Sequence, residues 1–589
     1  MKQFEIAYAG ADAFRTEMKT LQSHFGKNGN TNLFFQVYST ILEREPIGDL
    51  CGVLDEVFPE APYMGCSTSG NIVDCQVSGE MTVICTVFED EDTQVKVLQY
   101  DTCASPISEI TRQVIEETES NPWVKAVELY CTIPENSTTS FCVGLKDVRP
   151  DIQIFGGISC SEDITSSDSA VFSKDGGYAT KSVVLVLFGG ERFYVESMKI
   201  TGWKPLGRKF YITKSEGRIL QELDGLPAYQ VYQKYLKIQN DENFFYHTLE
   251  FPMFYEHNGT TILRVPVASN PDDSITMSSD MDVGSVVRIS YGDPATIVDS
   301  IKAAGVEIRD FQPDLLHIFS CAARRTFWTT EEPTYEISPL EEIAPSSGFF
   351  SHGEFLRTKG NLNQHNVTLV IAAMREGEKE TDYEKNIVQA KGMTKIPLAS
   401  RLANFISATS LELEEMNQQL ADMNEQLRQS SMTDGLTGLY NRKEIQFRIG
   451  AGLDYIQERD FSVIMLDIDN FKQVNDTFGH QEGDNVIVGL AKILQDSRVL
   501  GVSSFSAGRW GGEEFMLLLP ECDISHAKEI AESIRQRFAQ TSFEQAHFQT
   551  VSIGVTQAAE RDTMDTLCVR VDEALYAAKQ TGKNKVVVS

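Results

Sequence analysis

A heptad repeat between residues 396 and 430 constrains the architecture of this chain more than any other feature. The segment has no glycine between Gly392 and Gly435 and no proline after Pro397, so a helix can run through it uninterrupted. Its apolar positions, completed by one threonine, are spaced alternately four and three residues apart: Leu402, Ile406, Thr409, Leu413, Met416, Leu420, Met423 and Leu427. So narrow a seam is typical of a coiled coil, and we expect residues 396–430 to pair two copies of the chain in parallel. The alternative is a single helix packed on the preceding domain.

The repeat divides the chain into two folded regions, which at 589 residues should hold about three or four domains. Up to about residue 380, apolar runs such as 182–188 and 367–372 predict buried strands, and 107–119 and 295–304 predict helices. The elements predicted within 431–589 are a strand at 461–466, a helix at 483–494, a hairpin centred on 511–512, a helix at 525–539, a strand at 551–555 and a helix at 566–580. The expected fold class is multidomain, α/β and α+β.

Composition limits what such a chain binds and where it works. Its formal net charge of −33 disfavours nucleic acid and anionic membrane surfaces, whose phosphates it would repel. No run of 18 apolar residues and no signal-peptide core is present, so we expect a cytoplasmic protein without a membrane span. The 11 cysteines include no C-x-x-C pair, which excludes a zinc ribbon or thioredoxin motif and favours buried thiols in a reducing compartment.

Acidic residues gather near the ends of two predicted strands in the carboxy-terminal region. Asp467 and Asp469 follow an apolar run, where α/β proteins place ligand sites. Because side chains alternate along a strand, we expect the two to point to opposite sides, so that only one of them faces a given ligand. Farther along, the sequence Gly-Gly-Glu-Glu occupies 511–514, and we expect its glycines to allow positive φ and a close ligand approach. Carboxylates from two strands with a main-chain carbonyl suit Mg²⁺ bound to phosphates. The motif G-x-x-x-x-G-K-[ST] is absent, which excludes a P-loop.

These residues give the carboxy-terminal region its resemblance to the GGDEF family of diguanylate cyclases. The shared motifs lie at 434–442, 467–472, 475–480, 483–484, 509–515, 552–555 and 572–584, and the match covers about 431–589. The resemblance implies a central sheet flanked by helices and an enzyme that converts two GTP into cyclic di-GMP and two pyrophosphates. It also implies Mg²⁺, with Mn²⁺ as a substitute. Because each domain would hold one GTP, it implies a homodimer, which the 396–430 helix would hold together.

The resemblance also assigns a role to each matching residue. The metal ligands would be Asp467, the main-chain carbonyl of Ile468, and Glu513. The catalytic residues would be Glu513, which accepts the proton of the 3′-hydroxyl, together with Glu514 and Lys472. The nucleotide contacts would be Asn475 and Asp484 on guanine, His480 beside the nucleotide, and Lys472, Lys579 and Lys583 on the triphosphate.

Three further positions refine this resemblance. Asp484 is acidic, as in relatives that make cyclic di-GMP, whereas relatives that make the mixed guanine–adenine product tend to carry Ser. The family's inhibitory R-x-x-D is absent from its window at 502–505, so feedback inhibition through that site should be lost. Asp434 and Arg442 are expected to pair structurally where the domain begins.

The amino-terminal region resembles a FIST sensor. The matching stretches are 65–70, 155–157, 223–229, 319–324, 348–354 and 366–369, which predict an amino-terminal half at 20–222 and a carboxy-terminal half at 223–380. The family is thought to sense small molecules, with amino acids proposed and haem-linked nitric oxide sensing claimed for some members. An arginine near a glutamate would suit an amino acid, and haem would need an axial histidine or cysteine. The candidate ligand residues are Cys321, Arg324, Glu354 and His365.

Three functions compete for this sequence. The first is a diguanylate cyclase controlled by a small-molecule sensor. The second is a cyclase fold kept as a sensor of GTP or of a partner, without turnover, and the intact Asp467, Lys472 and Glu513 disfavour it. The third is a structural dimer scaffold, which leaves the set of carboxylates unexplained. We therefore expect the ligand-regulated cyclase.

Overall fold

The computed structural model describes residues 1–25, 32–133, 138–164, 166–257, 259–328, 334–380, 398–454, 459–496 and 504–589. Within them the chain forms two compact units, Met1–Leu411 and Glu412–Ser589. Each unit combines sheets with packed helices, which confirms the predicted α/β and α+β class.

Short strands dominate the first unit. In chain order its strands are β1 (Lys2–Ala7), β2 (Asn32–Ser39), β3 (Tyr63–Ser67), β4 (Asn71–Val73), β5 (Gln76–Val77), β6 (Met81–Phe88), β7 (Gln94–Asp101), β8 (Val124–Cys131), β9 (Gln153–Ile158), β10 (Val171–Ser173), β11 (Ser182–Gly189), β12 (Phe193–Ile200), β13 (Trp203–Glu216), β14 (Ile219–Leu223), β15 (Leu226–Pro227), β16 (Met253–His257), β17 (Thr260–Arg264), β18 (Pro266–Ser269), β19 (Ile275–Met277), β20 (Val286–Gly292), β21 (Leu315–Cys321), β22 (Ser346–Ser351), β23 (Glu354–Thr358), β24 (Asn361–His365) and β25 (Leu369–Glu376). Its helices are α1 (Ala11–Phe25), α2 (Arg44–Val57), α3 (Ile107–Ser120), α4 (Thr139–Gly144), α5 (Ala228–Leu236), α6 (Phe244–Leu249), α7 (Pro294–Phe311) and α8 (Ala322–Phe327). The predicted strands are confirmed as β11 and β25, and the predicted helices as α3 and α7.

Three sheets of the first unit share one apolar core. Their strand orders are β1-β6-β2-β3-β10, β24-β23-β9-β8-β11-β7 and β12-β25-β21-β22-β4-β5. Phe34 of β2, Tyr130 of β8 and Phe319 of β21 meet in a single cluster. Helices α1 and α2 cover the other face of the first sheet, α3 and α4 that of the second, and α7 that of the third. Strands covered on both faces read as continuous apolar runs, which is why β11 was visible in the sequence.

The two predicted halves of this region exchange strands. β23, with β24 beside it, pairs with β9, and β4, with β5 beside it, pairs with β22. β12 likewise pairs with β25. The predicted boundary at 222/223 lies inside β14, which pairs with β13 and β19. The halves complete each other's sheets, so their order in sequence does not separate them in space.

A fourth sheet completes the first unit. Its order is β17-β16-β20-β13-β14-β19-β18, with β15 paired to β14. Helices α5 and α6 pack on it through Tyr232 and Phe244, which join Met253 and Val287 in one cluster.

One helix, α9 (Leu398–Met432), spans the predicted coiled-coil segment, whose first residues, 396 and 397, lie outside the described part of the chain. Its apolar seam is uncovered, with exposed fractions from 45% at Ile406 to 62% at Leu427. A continuous row of exposed apolar side chains marks an interaction surface. The pairing of two such helices stays a prediction. Neither α9 nor any other helix in the described residues is long and apolar enough to cross a membrane.

The second unit is built on one five-stranded sheet. Its further elements are α10 (Arg442–Leu453), β26 (Phe461–Ile468), α11 (Phe471–Phe478), α12 (His480–Gln495), β27 (Ser506–Gly511), β28 (Glu514–Pro520), α13 (Ile524–Gln540), β29 (Ser542–Phe543), β30 (His547–Phe548), β31 (Val551–Gln557), α14 (Met564–Gln580) and β32 (Val586–Val588). The sheet order is β27-β28-β26-β31-β32. Helices α11, α12 and α13 cover one face, and α10 and α14 cover the other. Every element predicted here is confirmed to within a few residues.

Candidate active site

The candidate site lies at the end of β26, where strand alternation decides which side chains reach it. Met465 packs on the α14 face of the sheet, whereas Leu466 and Ile468 pack on the α12 face. Asp467 has the parity of Met465, so its carboxylate lies on the α14 face. Lys579, in the last turn of α14, meets it there, with Nζ 2.7 Å from Oδ2. The fold thus pairs two predicted site residues that are far apart in sequence.

Close packing of α14 on β31 sets the position of Lys579. A Cβ on Gly554 would lie 2.4 Å from both the main-chain nitrogen of Leu575 and the carbonyl oxygen of Val571. Only glycine lets the helix approach the strand so closely. Gly554 therefore helps to position Lys579 at the site, because it allows α14 to pack closely on β31.

The hairpin between β27 and β28 brings two more carboxylates near Asp467. Gly511 pairs with Glu514, which leaves Gly512 and Glu513 as the turn. Glu514 is also the register partner of Asp467, so both side chains lie on one face of the sheet. Burial raises the pKa of Asp467 to about 6; Lys579 opposes the shift, and the negative charges of Glu513 and Glu514 add to it. The site is therefore short of positive charge.

The backbone role expected of the two glycines is wrong. Neither Gly511 nor Gly512 has φ in the left-handed region. They provide space instead: a Cβ on Gly512 would have no heavy atom within 4 Å, and one on Gly511 would lie 3.2 Å from Oε2 of Glu514. The turn is open to a ligand, as expected, and Gly511 leaves room for the Glu514 carboxylate.

The carboxylate of Asp469 is fully used by hydrogen bonds within the protein. Its Oδ1 accepts a hydrogen bond from Ser552 Oγ at 2.6 Å, and its Oδ2 accepts from Thr550 Oγ1 at 2.7 Å and from the Asn584 N–H at 3.0 Å. Of the two aspartates, Asp467 is therefore the one left to face a ligand. The predicted reason, alternation along one strand, is wrong, because residues two apart within a strand share a face. The two side chains separate because β26 ends at Ile468, between them.

Asn475 is positioned by a glycine in the next helix. A Cβ on Gly483 would lie 2.0 Å from Oδ1 of Asn475, so the amide occupies the space that any side chain at 483 would need. Asp484 and His480 are exposed in the first turns of α12, and Lys472 is exposed on α11. The residues predicted to contact the base thus share one helical pair with Lys472, and three of them, Lys472, His480 and Asp484, are exposed to solvent.

Lys583 lies in the loop after α14. Its Nζ donates to Oδ1 of Asn470 at 2.6 Å, and both residues have left-handed φ, of 60° and 55°. Asn470 follows the strand that carries Asp467, so Lys583 lies at the same end of the sheet as Lys579. Two of the lysines predicted to contact the triphosphate therefore converge there.

The predicted pairing of Asp434 with Arg442 is wrong. Asp434 accepts hydrogen bonds from the N–H and Oγ1 of Thr437, at 3.0 and 2.8 Å, and its ion-pair partner is Arg509, at 3.4 Å. Burial opposes ionisation, but these hydrogen bonds and this charge together lower the pKa of Asp434. Arg442 instead lies over the ring of Trp510, 4.7 Å from its centroid. A stacked guanidinium gains cation–π energy without a carboxylate.

Sequence reasoning overlooked the roles of three residues that shape the site: Gly483, Arg509 and Gly554. Arg509 Nε donates to the carbonyl oxygen of Gly512 at 2.9 Å, so one arginine ties the Gly-Gly turn to Asp434. All three belong to the matching motifs. A motif, however, does not state which contact a residue makes, and no local pattern reveals these.

The donors at this site suit a divalent cation. In the described part of the chain, no three His, Cys, Asp or Glu side chains form a metal-binding group. Protein ligation would rest on the set that the resemblance implies, which is Asp467, Glu513 and the carbonyl oxygen of Ile468. The ammonium of Lys579 beside Asp467 shows that this position attracts positive charge. Hard oxygen donors completed by phosphate oxygens suit Mg²⁺, whose binding here stays a prediction.

In the first unit, Arg324 is engaged by the protein itself. The side chain is fully buried, and its Nη2 lies 2.6 Å from Oε2 of Glu336. Its Nη1 donates to the carbonyl oxygens of Thr201 and Val367 at 2.6 and 3.0 Å. This differs from the expected role, because the guanidinium has little left to offer a ligand carboxylate.

The other three sensor candidates are buried near one another. Glu354 and His365 are register partners on β23 and β24. Oε1 of Glu354 accepts from Ser351 Oγ at 2.6 Å, whereas its Oε2 and both ring nitrogens of His365 have no hydrogen-bond partner in the described structure. Burial raises the pKa of Cys321 and Glu354 and lowers that of His365. Because burial disfavours the charged form of Glu354, this carboxyl is a poor partner for a ligand ammonium.

Comparison with known families divides the chain into three matching parts. Residues 34–226 match the FIST N domain, 228–357 match the FIST C domain, and 431–585 match the family described as diguanylate cyclase, GGDEF domain. Both resemblances found in the sequence are confirmed, in the same order along the chain.

Individual relatives match over a limited part of the chain. Diguanylate cyclase DgcM of Escherichia coli is 38% identical over 169 residues, which are 28% of this chain and 40% of DgcM. Diguanylate cyclase VdcA of Vibrio cholerae is 35% identical over 233 residues, 38% of this chain and 62% of VdcA. The crystal structure of the GGDEF domain of DgcB from Caulobacter crescentus with c-di-GMP is 33% identical and covers 27% of this chain and 95% of that chain, with a TM-score of 0.26. This chain thus spans less than two thirds of these curated relatives.

Proposed function

We propose that this chain, which joins FIST N and FIST C domains to a GGDEF domain, is a ligand-regulated diguanylate cyclase that works in the cytoplasm. It would convert two GTP into cyclic di-GMP and two pyrophosphates. The observation that carries the proposal is the ion pair of Asp467 with Lys579 at one end of the sheet, where the charges of Glu513 and Glu514 also act on Asp467. The identity with two diguanylate cyclases over this region supports it.

The nucleotide would lie across the end of the sheet between α11–α12 and the loop after α14. Asn475, held by Gly483, and Asp484 would hydrogen-bond the guanine base, with His480 beside the nucleotide. Lys472, Lys579 and Lys583 would neutralise the triphosphate, which otherwise meets an acidic protein surface. A local group of lysines is what lets a chain of net charge −33 bind an anion.

The metal would be held by Asp467, Glu513 and the carbonyl oxygen of Ile468. When bound, Mg²⁺ would offset charge on the phosphates, with Mn²⁺ as a substitute. Because Asp467 would then be neutralised by the metal, the ammonium of Lys579 would be free to turn from this carboxylate to a phosphate. Haem in the first unit remains a separate proposal, and it would need one of the buried residues His365 or Cys321 as axial ligand.

The reaction would be two equivalent phosphoryl transfers. The 3′-hydroxyl oxygen of one GTP forms a bond to the α-phosphorus of the other, and the bond to the leaving pyrophosphate breaks. The hydroxyl proton passes to the carboxylate of Glu513, which lies in the open turn after Gly512. Glu514, on the face shared with Asp467, would keep the local field negative and favour that transfer.

Two domains must meet, because each would hold one GTP. The seam of α9 is exposed along its length and would join two chains as a parallel coiled coil. Linking the two half-sites turns a chance encounter into a positioned one, which can be worth roughly 7–11 kcal/mol. The coil would therefore act on catalysis through geometry and local concentration.

Incubation of the purified full-length protein with GTP and Mg²⁺ tests the proposal. We expect pyrophosphate release and cyclic di-GMP in a ratio of two to one. Glu513→Gln should abolish turnover with unchanged thermal unfolding. The matched control is Glu521→Gln, an exposed glutamate at the other end of β28 that pairs with Arg459. GTP binding without pyrophosphate release would refute the cyclase and favour the alternative, a GTP sensor without turnover.

Control by a small molecule is the second part of the proposal. A thermal-shift screen of the full chain against amino acids, with an absorbance spectrum for haem, tests the two expected ligand classes. A stabilising amino acid or a haem Soret band would identify the class. If neither result is obtained, amino acids and haem are both excluded as ligands of the first unit.

A further inference from the structure

A cavity in the first unit differs in character from the surroundings of the buried sensor candidates, because its lining is mostly apolar. It encloses about 530 Å³, within the range of roughly 300–1,000 Å³ typical of small-molecule sites. The fourth sheet and the helices beside it supply an aromatic and aliphatic wall, which includes Leu206, Phe210, Tyr235, Phe251, Tyr291 and Phe327. Such a lining favours an apolar, aromatic occupant.

The charged residues in the described lining are Arg208 and Glu250. Arg208 is already engaged: its Nη2 lies 2.8 Å from Oδ2 of Asp224, and its guanidinium lies 4.3 Å from the ring centroid of Phe210. Since the cation has its counter-charge, an anionic ligand would gain little here. Glu250 is exposed, so water screens its charge and a cationic ligand would also gain little. The chemistry points to an uncharged molecule.

The first turns of α9 form the remaining wall. Leu402, Ala403 and Ile406 line the cavity, and Ala403 is buried there. Leu402 and Ile406 are also the first two positions of the heptad seam, and they remain 54% and 45% exposed. Each of these side chains therefore has apolar surface left to cover, and there are two ways to cover it: a ligand in the cavity or the helix of a second chain.

We propose that this cavity binds a small, uncharged aromatic molecule, and that the bound molecule competes with a second chain for Leu402 and Ile406. A ligand in the cavity holds the start of α9 against the first unit. The heptad positions left to pair with a second chain then begin at Thr409. Because coupling between two binding events is reciprocal, dimerisation must weaken ligand binding by the same factor. This inference rests on the dimeric cyclase proposed above, and it names the site through which the sensor acts on it.

Binding of the neutral fluorescent dye Nile red to the full-length protein tests the site. Ala403→Phe places a ring in the cavity from the helix side and should weaken dye binding at least about tenfold. Ala408→Phe, the same change at an exposed position outside the lining, should alter it by less than about twofold. Equal binding by the two variants, each folded by circular dichroism, would overturn the site.

Sedimentation with and without the dye tests the competition. Saturating Nile red should raise the dimer dissociation constant by at least about threefold in the wild type and leave it unchanged in Ala403→Phe. An unchanged constant in the wild type, or a chain that stays monomeric at every concentration, would overturn the coupling. Neither measurement depends on turnover. If the protein releases no pyrophosphate, only the proposed cyclase activity is refuted, and dye binding still tests whether the cavity is a ligand site.

Discussion

Replacing Gly483 with alanine should displace Asn475 without changing any charge at the proposed guanine site. The new Cβ would start 2.0 Å from Oδ1 of Asn475, and ordinary contact begins at 3.4 Å, so the amide must withdraw by about 1.4 Å. Phe471, with Cζ 3.1 Å from the same Cβ, crowds that side further. The helix itself gains the propensity of alanine over glycine, roughly 1 kcal/mol, so unfolding is not the expected outcome.

The size of the effect follows from that displacement. A misplacement of about 1 Å in a group that positions a substrate can cost roughly 100-fold in rate. We therefore expect kcat/KM for GTP to fall about 100-fold, equivalent to about 2.7 kcal/mol of transition-state stabilisation. Because the lost contact is to the base, the preference for GTP over ATP should narrow in parallel.

Pyrophosphate release at a series of GTP concentrations measures this, alongside thermal unfolding of both proteins. Gly450→Ala is the matched control, since it makes the same change inside α10, where a new Cβ meets no heavy atom within 4 Å. It should leave kcat/KM unchanged. A Gly483→Ala variant that folds normally and keeps kcat/KM within about threefold of the wild type would refute the positioning role of Gly483.

Four further outcomes are expected. Asp469→Ala removes the acceptor of three hydrogen bonds and should lower the free energy of unfolding of the second unit by about 3 kcal/mol, measured by urea denaturation. Burial raises the pKa of Asp467 from 3.8 to about 6, so the folded unit holds this proton more tightly than the unfolded chain. Stability of the metal-free protein should therefore fall as pH rises through that interval, and Asp467→Asn should remove this part of the slope of stability against pH. Arg324→Met leaves Glu336 buried without its cation and should destabilise the first unit by about 3–5 kcal/mol, read from its thermal transition. The missing R-x-x-D at 502–505, of which residues 502 and 503 lie outside the described part of the chain, predicts that low micromolar cyclic di-GMP inhibits turnover only weakly; strong inhibition would contradict this.

Local patterns predicted the second unit well. The hairpin at 511–512, the strand before Asp467 and the helix that carries Lys579 follow from apolar periodicity and glycine signals within short windows. The pairing of Asp434 could not be read this way. Arg442 is nearer in sequence, but Arg509 lies beside Asp434 because β27 brings it there, and Arg442 finds the ring of Trp510 instead.

The first unit shows the same limit on a larger scale. Continuous apolar runs identified strands such as β11, because strands buried on both faces need apolar side chains throughout. Which strands pair is a separate matter. The exchange of β23 and β4 between the two halves depends on register and shape over long sequence separations, and a boundary drawn in sequence at 222/223 falls inside a strand.

By itself, the sequence determined the order of the parts and predicted the class of chemistry. The motif around Glu513, the lysines and the heptad of α9 are patterns of residue type and spacing, which a linear chain displays directly. Only the tertiary structure decided which aspartate is left for a ligand, what Arg324 binds, and that Leu402 and Ile406 belong both to a seam and to a cavity wall. The physical reason is that hydrogen bonds, ion pairs and enclosed space arise between residues distant in sequence, where spacing along the chain carries no information about contact.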